Sequence, residues 1–154
     1  MAIKLPSSGE TIEVIARVDS AITPTSEQYE QYLKTLDETL LPKVEGQEPT
    51  RFVMRKILPW RLSQKVKNEQ LSIGREGKPE FRFASITEEV RCALVGIKNP
   101  ASLPKEDHIE FSKDGDGGAS ESLMASLDAA GIVWDLHLAR TNAIQAGAEA
   151  VKKK

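Results

Sequence analysis

This chain of 154 residues has one cysteine, Cys92, and two histidines, His108 and His137. A single cysteine excludes an intrachain disulfide, and neither histidine stands at a spacing that would complete a zinc site with it. Aromatic residues make up only 5%, so Trp60, Trp134, Phe52, Phe81, Phe83 and Phe111 are each candidates for the core or for an interface. An excess of one charge is missing too. The formal net charge is -2, which provides no long-range field to draw in DNA, RNA or an anionic membrane. No apolar run approaches the roughly 18–20 residues that cross a bilayer. The opening Met1-Ala2-Ile3-Lys4-Leu5-Pro6 lacks the long apolar region of a secretory leader. These absences point to a protein of a reducing cytoplasm, with no membrane, metal or cofactor.

Hydrophobic residues make up 40% and charged residues 29%, a balance that supports one folded domain with a core. The pattern predicts a single globular domain over 1–145 and a flexible basic tail over 146–154. Ile12, Val14, Ala16 and Val18 alternate within 11–18, which predicts a strand. Thr25 with Gln28 forms a capping box ahead of Tyr29, Tyr32, Leu33, Leu36 and Leu40 at helical spacing. Pro42 is expected to end that helix. Residues 50–57 read as a second strand, with Phe52 and Met54 on one face. Pro59 suits the start of a helix in which Leu62, Val66 and Leu71 line one side. Phe81 and Phe83 alternate with Glu80 and Arg82 like a short strand. Ser85 with Glu88 reads as a second capping box before Val90, Ala93, Leu94 and Ile97, and Asn99-Pro100 closes that helix. His108–Phe111 is a candidate short strand. Ser120 caps a helix carrying Leu123, Met124 and Leu127, which Gly131 stops. Ile132, Val133, Leu136, Ala139 and Ile144 form the last helix. The expected fold is α+β and mostly helical. About five helices, at 25–41, 60–72, 86–98, 121–130 and 132–145, pack on a small sheet of two to four short strands.

The chemistry-bearing motifs fail one by one. Counted from Asp114, a calcium loop needs an oxygen ligand at position five, glycine at six and glutamate at twelve; the chain has Gly118, Ala119 and Ala125. An exposed flexible turn is the better reading. Gly74-Arg75-Glu76-Gly77-Lys78 has two residues between its glycines where a phosphate loop needs four, and Pro79 stands where Ser or Thr is required. Cys92 sits in a helical pattern beside the apolar stripe, the setting of a buried thiol. His137 lies between Leu136 and Leu138, the place of a boundary histidine. His108 follows the acidic Glu106-Asp107. Glu88 and Glu89 are adjacent, so on a helix they diverge and cannot form a catalytic pair. No enzyme is expected.

What remains is a surface. Arg51, Arg55, Lys56, Arg61, Lys65 and Lys67 cluster, with Arg61 and Lys65 neighbours at spacing four. Most such clusters are solvated helix faces. Trp60 beside Arg61 distinguishes this one, since both residue types are enriched in binding hot spots. Trp60, Arg61, Lys65 and Arg55 are therefore the candidate partner-binding residues.

One resemblance accompanies this reading. Pro49-Thr50-Arg51-Phe52-Val53-Met54-Arg55, then Leu58-Pro59 opening a helix, then Glu88-Glu89-Val90-Arg91-Cys92-Ala93-Leu94-Val95-Gly96-Ile97-Lys98-Asn99, resembles the small tail-assembly proteins of long-tailed bacteriophages. The close is similar: a short helix, a glycine break and an apolar helix ending Arg140-Thr141-Asn142. The opening Met1 to Pro6 is of the same type, and residues 1–48 otherwise fall outside the pattern. The resemblance implies a tail assembly chaperone. Such proteins are non-enzymatic, act in the host cytoplasm, coat the helical tape-measure protein, help tail-tube subunits polymerise and usually form homo-oligomers. The alternatives are a structural virion component, such as an adaptor, decoration or minor tail protein, and a nucleic-acid-binding accessory protein. The net charge disfavours the last.

Overall fold

The computed structural model describes residues 10–70, 72–73, 79–80, 83–100, 111–115 and 117–152. Among these, three strands form an antiparallel sheet in the order β1 (Thr11–Val14), β2 (Arg51–Arg55), β5 (Leu94–Lys98). A separate pair joins β3 (Ser72–Ile73) to β4 (Pro79–Glu80). Five helices accompany them: α1 (Ser26–Thr35), α2 (Trp60–Gln70), α3 (Phe83–Ala93), α4 (Glu121–Ala129) and α5 (Ile132–Lys152). This is the expected α+β fold. The predicted glycine-punctuated loop at 74–78, Phe81, Leu71 and the 108–110 part of the predicted strand lie outside the described residues.

Alternation along β1 and β2 buries one sheet face: Ile12, Val14, Phe52 and Met54 turn inward. The core adds Tyr29, Tyr32 and Leu33 of α1 and Val90, Ala93 and Leu94 from the α3–β5 segment. Leu123, Met124 and Leu127 of α4 and Ile132, Val133, Leu136 and Ala139 of α5 complete it. Every helix stripe thus has a sheet face or another helix to bury it, which is the basis of a layered domain.

The first strand is shorter than its alternating pattern predicts, and two tyrosines explain why. Tyr32 Oη accepts the Ile15 N–H at 2.9 Å, and Tyr29 Oη donates to the Ile15 carbonyl at 2.7 Å. With both backbone groups of Ile15 taken by side chains, the ladder stops at Val14. Ala16 is still buried, while Val18 is exposed. Burial pushes both phenols up, Tyr32 to about 12, so Tyr29 keeps the proton that it donates to the Ile15 carbonyl.

Helix α1 starts where expected: Thr25 accepts from the Gln28 N–H, and Gln28 Oε1 accepts from the Thr25 N–H. It ends earlier than Pro42, because Leu36 takes a left-handed conformation with φ 55°. A separate 3-10 turn, Glu38–Leu40, capped by Asp37, follows.

The largest departure is at 94–98. The expected helix over 86–98 is in fact α3 ending at Ala93 and running directly into β5. Ser85 lies inside α3, so it is not the cap. Leu94, Val95 and Ile97 fit a helical stripe and a strand equally well. Pairing with β2 decides between them: Phe52 opposes Ile97, Val53 opposes Gly96 and Met54 opposes Leu94, and the register skips Val95. That bulge bends the strand as it leaves the helix. Phe83, read as part of a strand, is instead the first residue of α3.

Ser120 accepts from the Leu123 N–H to cap α4, and Gly131 (φ 73°) breaks α4 from α5, both as predicted. The final helix runs to Lys152, past the predicted end at 145, and Ile144 is exposed. No helix among the described residues is long and apolar enough to cross a membrane.

Candidate functional site

Helix α2 docks on α3 through Leu62 and Val66, which pack with the buried Cys92. Burying that stripe leaves the neighbouring positions Arg61 and Lys65 exposed. Pro59 stands just before the helix, and its carbonyl accepts the Ser63 N–H at 2.9 Å. Trp60, the first helical residue, is 76% exposed, the most exposed large hydrophobic among the described residues.

An open cleft of about 470 Å³ forms beside this helix. It is lined by Arg55 at the end of β2, by Pro59, Arg61, Leu62 and Lys65, and by Gly115 and Gly117. Three of the four predicted partner-binding residues, Arg55, Arg61 and Lys65, thus meet around one opening. Trp60 stands next to it in sequence but not in its lining. Lys65 lies 3.5 Å from Glu88, which balances its charge. Among the described residues, Arg55 and Arg61 have no carboxylate on their guanidinium groups.

Two buried arginines hold the walls in place. Arg140, only 5% exposed, donates from Nε to the Arg55 carbonyl and from Nη2 to the Lys56 carbonyl, both at 2.8 Å, and from Nη1 to Glu89 at 2.5 Å. This fixes the backbone from which Arg55 projects. Arg91 does the same for the opposite wall. It donates to both Glu88 oxygens, at 2.9 and 2.6 Å, and to the Ala119 carbonyl at 3.3 Å, and lies 3.7 Å from Asp114. The turn it holds is tight: Asp114 donates to the Gly118 carbonyl and Gly117 donates to the Asp114 carbonyl. Gly118 is required here, since a Cβ would sit 2.6 Å from the pinned Arg91 guanidinium. The segment read as a free turn is therefore anchored, and Asp114 serves an ion pair.

Glu88 and Glu89 do diverge. Glu88 supports the 114–118 side and Lys65, while Glu89 supports Arg140 and the β2 side. Their structural use was invisible in sequence, where Glu88 reads as a cap. Nothing local marked Arg140, whose carbonyl partners are 84 and 85 residues away, and although Glu88 lies three residues before Arg91, nothing local showed that Arg91 also reaches the Ala119 carbonyl 28 residues on.

The hydrogen bonds from Arg91 hold the Glu88 carboxyl below its usual range, against a desolvation that raises it. A depressed folded-state value means stability that is present above the unfolded carboxylate range and lost as pH falls through the folded value. Glu88→Gln is thus expected to lose about 1.5–3 kcal/mol at neutral pH. The gap to wild type narrows as pH falls from the ordinary carboxylate range through the lower folded value. Urea denaturation across pH checks this; a gap constant with pH would contradict it.

Neither His137 nor Cys92 is in the cleft's lining. His137 is half-buried, packs against Trp134 with centroids 5.5 Å apart and the rings tilted by 41°, and is held below its usual value by burial. Cys92 has Glu88 and Arg91 near its sulfur. His108 lies outside the described residues. Among the described residues no three His, Cys, Asp or Glu side chains group as metal ligands. The cleft sets fixed positive charge beside apolar carbon. Comparison with family models, curated proteins and solved structures finds no match.

Proposed function

We propose that this protein is a non-catalytic phage morphogenesis factor of the tail-assembly-chaperone kind. It holds a helical tape-measure or tail-tube partner in the host cytoplasm and self-associates while doing so. The observation that carries the binding part of this reading is Trp60, a large aromatic at 76% exposure, next in sequence to residues of a cleft whose Arg55 and Arg61 have no carboxylate partner among the described residues. Tryptophan and arginine are the residue types enriched in binding hot spots. The phage part rests on the sequence pattern of 49–59 and 88–99.

Co-expression with a tagged tape-measure or tail-tube protein tests the proposal. Retention of this chain on the tagged partner, and its absence from purified particles, is the expected result. Its presence in particles would favour the virion-component alternative, and retention by neither partner would count against the whole reading. Trp60→Ala is expected to leave stability within about 0.5 kcal/mol of wild type, as for other surface changes. It is expected to cost about 2 kcal/mol or more of partner affinity if Trp60 anchors the contact. Thermal unfolding and calorimetric titration of the captured complex measure the two effects.

A further inference from the structure

We propose that the Arg55–Arg61 cleft takes an acidic stretch of a protein partner, with carboxylates on the two guanidinium groups and an apolar side chain against Pro59 and Leu62. This deepens the partner-binding reading above and rests on it. Guanidinium groups offer a planar fork of donors that matches a carboxylate. Arg55 and Arg61 come from different elements and converge on one cleft. Arg51, Arg91 and Arg140 each already hold a carboxylate. Arg55 and Arg61 line this cleft together, and among the described residues neither has a carboxylate on its guanidinium group.

The lining separates an acidic peptide from other anions. A cleft of about 470 Å³ is far larger than one carboxylate or phosphate needs. Pro59 and Leu62 add apolar carbon that a bare oxyanion cannot use. A nucleic-acid backbone is a poor fit. Glu88 balances Lys65, Asp114 lies on the adjoining turn, and the whole chain carries a formal charge of -2. Two remaining cations displace too few counterions for useful affinity. A partner with alternating acidic and apolar residues meets both parts of the lining.

The test uses the full chain and a fluorescein-labelled peptide of Glu-Glu-Leu repeats, read by fluorescence anisotropy. The controls are a Lys-Lys-Leu peptide, inorganic phosphate and an oligothymidylate. The Glu peptide is expected to bind wild type, with affinity falling as salt rises. The double variant R55Q/R61Q is expected to weaken it by roughly tenfold or more. The Lys peptide is expected not to bind, and phosphate is expected not to compete at low millimolar levels. Unchanged affinity in R55Q/R61Q overturns the proposal, as does absence of Glu-peptide binding or tighter binding of the oligothymidylate. Should the double variant lose its thermal transition, Arg61→Gln alone, at an exposed position, decides by the same criterion. Tape-measure capture without Glu-peptide binding would sink this inference and leave the partner reading standing. Glu-peptide binding without capture would do the reverse.

Discussion

Replacing Arg140 with alanine lowers the unfolding free energy by about 3–5 kcal/mol, the cost of breaking a buried ion pair from one side. The guanidinium satisfies the Arg55 and Lys56 carbonyls and the Glu89 carboxylate together. Truncation leaves all three acceptors without this donor at a part-buried site. Urea denaturation reads the loss as a lower midpoint. Arg140→Met, which keeps much of the packing volume, is expected to recover only a small part of it. A loss under about 1 kcal/mol would mean that water replaces the guanidinium at that site. Because the same side chain fixes the backbone at Arg55, the variant is also expected to bind the acidic probe more weakly at temperatures where it remains folded.

Phe52→Ala is the second large effect, expected at about 3–5 kcal/mol. Phe52 is fully buried on the central strand, opposite Val14 on one side and Ile97 on the other. It belongs to the main buried cluster, which also holds residues of α1, α4 and α5, so its loss leaves a cavity in the centre of the domain. The check is again equilibrium unfolding, with Phe52→Leu expected to lose markedly less. The contrast with Trp60 is the useful one. Both are large aromatic residues within ten positions, yet one is expected to matter for folding and the other for binding.

Where sequence and structure agree, the signal was local. The Thr25–Gln28 box depends on residues three apart. The Leu62 and Val66 stripe depends on residues four apart, and it correctly placed Arg61 and Lys65 in solvent. Ser120 and Gly131 act on their own backbone. Where they differ, a distant partner intervened. Leu94–Lys98 has the composition of either element, and only β2, more than 30 residues upstream, makes it a strand. Strand β1 ends because two tyrosines from α1 take the backbone groups of Ile15. In the candidate site, Arg55, Arg61, Lys65 and Trp60 were visible as a basic cluster with an aromatic. Gly115, Gly117 and the two arginines that brace the walls were not.

Taken by itself, the sequence determined the α+β class, the capped starts of α1 and α4, the stop at Gly131 and the face that α2 turns to water. These follow from hydrogen-bonding and spacing rules that operate within one helical turn. Only the tertiary structure decided that 94–98 is a strand and that Glu88 and Glu89 serve opposite walls. It alone brought Arg55 to Arg61 around one cleft. Those outcomes depend on long-range pairing and on buried charges finding partners, and neither leaves a periodic trace along the chain.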